Sequence, residues 1–164
     1  MSDVTLTPKS KLRKAIAARL KASVTEVGGR VYESHFVPTD PRDWPCIIVH
    51  TDSVTVEVGG GSARPGNRPQ RREVAVVITV IDDAEPDTTL DDRLDLISLR
   101  VEEALMSDPY LEDPSGRSVV EDMRLTETQT DIVHQHGAIR GEQALVWLCT
   151  YRTIEGRPSQ TMAR

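Results

Sequence analysis

Residues 71–82 read RREVAVVITVID, and the run VAVVITVI at positions 74–81 is the most strand-prone stretch of the chain. Most of its residues branch at Cβ. Such side chains have restricted χ1 angles, which disfavours a helix, and they pack well on a pleated sheet. The run therefore predicts a strand over Arg71–Asp82, and the flanking sequence is interpreted outward from it.

The segment before this strand predicts its hairpin partner. Residues 46–58, CIIVHTDSVTVEV, follow Pro45. Apolar residues are mostly consecutive at the start of this segment and alternate with polar residues at its end. Consecutive apolar residues indicate burial on both faces, whereas alternation indicates one solvent-exposed face. Residues 59–70 are rich in Gly and Pro, which prevents a helix or a ladder. We expect a long hairpin with a mobile, glycine-rich tip and an arm at about residues 57–73.

Two stretches have helical periodicity. Thr7 to Val27 begins with a capping threonine and a proline, and its apolar stripe recurs every four residues at Leu12, Ile16, Leu20 and Val24. Thr89 to Ser107 follows an acidic segment and carries the stripe Leu90, Leu94, Ile97, Val101 and Leu105. Leu96 and Leu99 widen the second stripe, so we expect that helix to pack flat on a sheet.

Three further strands are predicted from branched and aromatic residues: Arg30–Val37, Val119–Val133 with bends, and Glu142–Thr153, with a loop at 134–141. The elements follow the order α-β-β-β-α-β-β. This order favours an α+β fold in which two helices cover a mostly antiparallel sheet of about five strands. We expect a single domain at 1–153 and a polar tail at 154–164 that is either disordered or held by a partner.

The composition excludes several classes of protein. The formal net charge of the 164 residues is −6, whereas proteins that grip nucleic acid through phosphates are normally basic. No apolar run approaches the roughly 18 residues of a membrane span, and the first residues lack a basic segment followed by an apolar one, so we expect no secretory signal. Cys46 and Cys149 lie in apolar runs and are predicted to be buried free thiols. We expect a soluble cytoplasmic protein.

Two charged segments are candidates for interaction. Arginines cluster in and beside the glycine-rich tip, at Arg64, Arg68, Arg71 and Arg72, and residues 59–72 contain no acid. This segment is either a solvated hairpin tip or an arm that docks on a partner through its guanidinium groups. The second segment is acidic: Asp82, Asp83, Glu85 and Asp87. It either complements the dipole of the following helix or holds a hard cation.

Motifs for catalysis and for cofactors are not found. The glycine-rich loop lacks the Lys-Ser/Thr ending of a phosphate-binding loop and the glycine spacing of a dinucleotide site. His134 and His136 are two residues apart, but nothing fixes a further zinc ligand. Neither cysteine lies in a nucleophile signature. We therefore expect no catalytic, cofactor-binding or metal-binding residues, and no enzymatic activity.

Several stretches, taken in order, resemble one known family. They are LRKAI at 12–16 with Leu20, RVYES at 30–34, WPCIIV at 44–49, a long strand ending in Asp82, LDDRLDLI at 90–97, VEEAL at 101–105 and ALVWLCTYR at 144–152. Together they resemble the tail terminator family of long-tailed bacteriophages, also called the minor tail protein U family. The resemblance runs from Lys9 to Arg152, and the glycine-rich tip is longer than is usual in that family.

The resemblance implies a structural virion protein of the tail or neck, assembled in the host cytoplasm. Members form a ring, usually of six copies, that caps the tail tube, ends its polymerisation and offers a surface for head-tail joining. The implied partners are further copies of the chain, the tail tube protein and the head connector or stopper protein. DNA passes through the lumen without specific binding, and a net negative charge suits such a channel.

In such a ring, the arginine-bearing arm and the acidic segment 82–87 of a neighbour would supply complementary charge. Two alternatives remain open. One is another head-tail connector or neck protein, such as a head-completion or adaptor protein. The other is a metal-dependent hydrolase that uses Asp82 and Asp83.

Overall fold

A computed structural model of the chain describes residues 7–33, 40–61, 63–84, 89–113, 115–135 and 138–161. Its helices are α1 (Pro8–Ser23) and α2 (Leu90–Met106), and short 3-10 turns cover Thr25–Val27 and Pro41–Asp43. The strands are β1 (Val31–Tyr32), β2 (Cys46–Val58), β3 (Pro69–Ala84), β4 (Asp122–Gln135), β5 (Ala138–Ile154) and β6 (Arg157–Thr161).

The strands form one six-stranded sheet in the order β1-β2-β3-β5-β4, and β6 also pairs with β5. The β1–β2 pair is parallel, and the other pairs are antiparallel. The hairpin β2–β3 and the hairpin β4–β5 therefore lie side by side, joined through β3 and β5. This arrangement confirms the predicted α+β class with a mostly antiparallel sheet and two helices.

The core lies between the helices and one face of the sheet, which we call the helix-covered face. Alternate residues of β3 and β5 point into it, including Val76, Ile78, Leu145 and Trp147. Trp147 is the largest fully buried side chain. Each helix adds the stripe that its periodicity predicted, with Leu12, Ile16, Leu20, Leu94, Val101 and Leu105 all buried.

The ends of the first helix follow from its sequence. The Ser10 backbone N–H donates to Thr7 Oγ1 at 3.2 Å, and Pro8 occupies the first helical position. The α-helix ends at Ser23 and not at Val27, because a 3-10 turn follows Val24. Gly28 then takes a left-handed conformation, with φ 56°, which a glycine adopts without strain.

The second helix packs closely on the sheet at one position. A Cβ placed on Gly141 of β5 would lie 2.6 Å from Leu94 Cδ1 and 3.0 Å from Leu90 Cδ2. Any side chain at position 141 would therefore push α2 away from β5. The glycine sets the distance between these two elements.

The other side of the sheet, which we call the open face, carries no helix among the described residues. Near β1 it holds a small cluster of Cys46, Ile48 and Ile81 under Tyr32 and Trp44. Further along, half-buried apolar side chains of β3 and β5 lie on it: Ala75, Val77, Ala144, Val146 and Leu148. Cys46 therefore lies on the open face and Cys149 in the core, and both are buried free thiols, as predicted.

Several boundaries differ from the sequence-based expectation. Residues 157–161, assigned to a polar tail, form β6, because Gly156 with φ 78° allows a tight turn after β5. The loop expected at 134–141 is largely strand, since His134 pairs with Ile139 and Gln135 with Ala138. The strand predicted at 30–37 is formed at Val31–Tyr32, and residues 34–37 lie outside the described residues.

The contact at Gly141 makes a prediction about stability. Gly141→Ala should lower the free energy of unfolding by about 1–3 kcal/mol, because the methyl group overpacks the Leu90–Leu94 surface. Gly60→Ala is the matched control, since nothing lies within 4 Å of the added Cβ there. That variant should stay within about 0.5 kcal/mol of the wild type in denaturant unfolding. Equal losses in both variants would contradict the close α2–β5 packing.

Candidate assembly surfaces

The hairpin arm is a continuation of the sheet beyond the helices. Val54, opposite Val74, still packs against the core. Val56 and Val58, at the base of the arm, point to the same side but are 43% and 48% exposed. Burial along β2 therefore ends between Val54 and Val56, whereas Gln70 and Thr153, level with Val58 on β3 and β5, remain buried. On the other side of β3, β5 extends to Ile154, and β6 folds back along it, with Thr161 beside Thr153.

The tip of the arm is clamped to the turn between β5 and β6. Arg68 Nε and Nη2 donate to the two carboxylate oxygens of Glu155 at 2.8 and 2.9 Å. The Gly66 backbone N–H donates to the same carboxylate at 2.9 Å, and the Glu155 backbone N–H donates to the Arg68 carbonyl oxygen at 2.8 Å. These bonds lower the pKa of Glu155, with Arg68 as the largest cause. The tip, which was expected to be mobile, is thus held to Glu155 by hydrogen bonds donated in both directions, and we call this set of bonds the clamp. Ser62 lies outside the described residues.

Most of the arginines proposed for the arm already have partners within the chain. Arg71 lies 2.8 Å from Glu73 and 3.6 Å from Glu57. Arg72 Nε donates to Thr153 Oγ1 at 2.9 Å, and its Nη2 donates to Gln70 Oε1 at 3.0 Å. Arg64 lies exposed in the tip. The arginine cluster therefore has two parts. Arg68, Arg71 and Arg72 bond to other residues of the arm, of β5 or of the turn that follows it, and Arg64 is exposed at the tip.

The acidic segment does not form a continuous surface patch in the described residues. Asp82 is fully buried, and Arg93 Nη2 of α2 lies 3.0 Å from its Oδ1 and 2.9 Å from its Oδ2. The Asp83 backbone N–H donates to Asp82 Oδ1 at 2.9 Å. Burial raises the pKa of Asp82, and Arg93 opposes that rise. Asp82 thus ties the end of β3 to α2; Asp83 is half-buried, and Glu85 and Asp87 lie outside the described residues.

The solvent side of α2 carries a second apolar stripe, which the sequence analysis did not find. Leu96, Leu99 and Met106 are 44%, 51% and 45% exposed, so the expectation that Leu96 and Leu99 widen the buried stripe is wrong. The exposed residues on this side follow one another at spacings of four, three, four and three residues: Asp92, Leu96, Leu99, Glu103 and Met106. This spacing places them on one face of the helix, so the sequence contained the pattern that identifies the stripe. We call this stripe the outer ridge of α2.

Other surfaces offer less to a partner of defined chemistry. A groove of about 570 Å³ lies between α1 and residues 108–119, with Ala15, Ala18, Leu111 and Val119 among its lining residues. Arg19 and Asp108 form an ion pair at its rim. Among the described residues, no group of three or more His, Cys, Asp or Glu side chains is placed to hold a metal ion. His134 is exposed on β4, and His136 lies outside the described residues. No described helix is long and apolar enough to cross a membrane.

Comparisons with known proteins bear on the fold. No protein-family model and no curated protein matches the chain. Among solved structures, the chain is similar to one from the virion of a native gene transfer agent (GTA) particle. The two are 18% identical with a TM-score of 0.55, and the match covers 88% of this chain and 95% of that chain. The similarity shows that the two chains share a fold over nearly their whole lengths.

The clamp at the tip makes a first prediction. Glu155→Gln should speed hydrogen exchange of the Gly66 backbone amide several-fold, because the charged acceptor for Gly66 and Arg68 is lost. Glu57→Gln, the same substitution on the arm at a looser ion pair, should leave Gly66 exchange unchanged. In the wild type the clamp should open as pH falls through the lowered pKa of Glu155. Equal exchange in both variants would mean that the clamp does not hold the tip.

Asp82 makes a second prediction, about pH. An acid whose pKa is raised in the folded state favours folding while it is protonated and costs stability once it ionises. The wild type should therefore lose stability relative to Asp82→Asn as pH rises above the ordinary pKa of 3.8. Urea unfolding of both proteins at several pH values between about 4 and 7 measures this difference. A difference that does not change with pH would contradict the burial of this carboxylate.

Proposed function

We propose that the chain is a structural virion protein, and specifically a tail terminator: a ring that caps the phage tail tube and ends its polymerisation. The observation that carries this proposal is the fold shared with a chain of the gene transfer agent virion over 88% of this protein. The ordered set of sequence stretches from Lys9 to Arg152 that resembles the tail terminator family supports the more specific role.

The shape of the subunit suits a closed ring. A ring requires two different surface patches on each copy, which meet in a head-to-tail contact and close by rotation. The arm supplies a projecting patch at one end of the sheet, where Val56 and Val58 are exposed. The outer ridge of α2 supplies a patch elsewhere on the subunit. Six copies would match the sixfold tube that the family resemblance implies.

A terminator ring would also have two partners in the virion. One side of the ring would meet the tail tube protein, and the other would meet the head connector or stopper protein. The DNA that enters the tube would pass through the lumen without specific binding, since a subunit of net charge −6 offers few phosphate contacts. Such a protein works by shape and complementary surfaces, makes or breaks no bond, and belongs to the tail or neck of the virion.

The metal-dependent hydrolase gains no support from the geometry. Its proposed ligand Asp82 is fully buried and paired with Arg93, so Asp82 and Asp83 do not present two carboxylates to solvent. Another head-tail connector or neck protein is the remaining competitor, and binding to heads distinguishes it from a terminator.

The proposal predicts how the purified protein assembles. Mixed with purified tail tubes of its virus, it should form rings at the tube ends that electron microscopy resolves, and it should stop tubes from growing. A virus lacking the gene should make tails of abnormal length. Monomers alone in the presence of tubes, or normal infectious virions without the gene, would overturn the proposal. Binding to purified heads but not to tubes would instead favour the neck-protein alternative.

A further inference from the structure

We propose that, in the assembled ring, the arm of one copy docks on the outer ridge of α2 of the next copy. This inference rests on the proposed function, because it specifies the contact that closes the ring. Asp82 of the acidic segment is buried beside Arg93, so the contact is argued from the outer ridge and not from that carboxylate.

The outer ridge has the composition of a partner surface. Leu96, Leu99 and Met106 are each about half exposed on the side of α2 that faces away from the sheet. Leu96 and Leu99 are neighbours on this face, and Met106 follows beyond Glu103; exposed apolar side chains beside charged ones are typical of protein–protein contacts. The helix that bears this ridge has five acidic residues and only two arginines: Asp91, Asp92, Asp95, Glu102 and Glu103, with Arg93 and Arg100.

The two arginines of α2 are engaged within the subunit, so the ridge keeps an excess of negative charge. Arg93 is paired with Asp82. Arg100 lies 3.2 Å from Glu26 and 2.7 Å from Glu103. Asp91 and Asp92 are exposed in the first turn of the helix. A partner that meets this ridge should therefore be apolar at its centre and positively charged at its edge.

The arm has those two properties on one face. Val56 lies opposite Arg72 in the β2–β3 ladder, and Val58 lies two residues further along β2. The bonding partners of Arg72, Thr153 and Gln70, are neutral, and no carboxylate of the described residues forms an ion pair with it. Arg64 adds an exposed positive charge at the tip. The arm and the ridge are therefore complementary in both hydrophobicity and charge, which favours a specific contact between copies.

The clamp at Glu155 favours the same contact. A loop that must become ordered on docking loses conformational entropy, and this loss weakens binding. Here Arg68 and Gly66 are already fixed to Glu155 in the isolated chain. The arm is thus presented to a neighbour in a defined shape.

Site-directed disulfide formation tests the contact. Val58→Cys and Leu99→Cys single variants are mixed, concentrated with and without tail tubes, and oxidised mildly. We expect a disulfide-linked dimer that contains one copy of each variant. The control mixture pairs Leu99→Cys with Thr128→Cys, an exposed position on β4, and should give no such dimer. The native thiols should stay unreacted, because burial raises the pKa of Cys46 to about 11 and of Cys149 to about 12.

A charge substitution provides an independent measurement. Leu99→Glu should abolish ring formation at concentrations where the wild type assembles, because it places a carboxylate at the centre of the contact. Ile132→Glu, at a similarly exposed apolar position on β4, should leave ring formation intact. Both variants should unfold with the same midpoint as the wild type, since neither side chain is buried.

The outcomes separate this inference from the proposed function. Rings that form without the Val58–Leu99 disulfide, or that tolerate Leu99→Glu, would overturn the arm–ridge contact and leave the terminator role standing. The absence of any oligomer, alone or with tubes, would overturn both. Rings together with the expected disulfide and the loss caused by Leu99→Glu would support both.

Discussion

The pairing of β3 with β5 is the contact on which the rest of the structure depends. The ladder runs without interruption from Pro69–Ile154 to Ala84–Ile139. Each strand carries its own hairpin partner, β2 or β4, so a break in this pairing would separate the two halves of the sheet. It also positions α2, which packs on Gly141 of β5, opposite Asp82 of β3. At the other end of the ladder, β5 leads into the turn whose Glu155 binds the tip of the arm. The strand run at 74–81 thus governs both the core and the arm.

Much of the fold could be predicted from the sequence, because apolar periodicity determines which elements form. The strand at 71–82 and the two helices were found in this way. Polar contacts between residues that are far apart in sequence could not be predicted in this way. β6 reads RPSQT, which has no apolar alternation, and it forms through backbone bonds beside a turn. The Arg68–Glu155 clamp joins residues 87 positions apart, so no local pattern reveals it. The exposure of Leu96 and Leu99 was missed although the sequence held the signal, since helical spacing places both opposite the longer stripe that meets the sheet.

The free edge of the sheet is built to resist strand addition, which agrees with the proposed assembly through side-chain faces. β4 forms one edge, and its outer half is almost entirely polar and exposed, with Glu127 and Asp131 among its residues. A register shift between Leu125 and Glu127 breaks the regular ladder, and Thr126 Oγ1 donates to the Val146 carbonyl oxygen at 3.0 Å. Charges and bulges of this kind discourage edge-to-edge pairing, which would otherwise propagate without closing. A subunit that must stop at a fixed number of copies benefits from such an edge.

The order of the arm links the inside of the subunit to its assembly. Val56 and Val58 lie beyond the buried part of β2 and are exposed, yet β2 stays paired with β3 out to Gln70. Arg72 is held by Thr153 of β5, so its position also depends on the β3–β5 ladder. In the proposed ring, a neighbour that docks on this face would meet a surface whose shape is set by the sheet itself. Loss of β3–β5 pairing would then weaken the proposed contact between copies, and formation of that contact would stabilise the exposed end of the sheet.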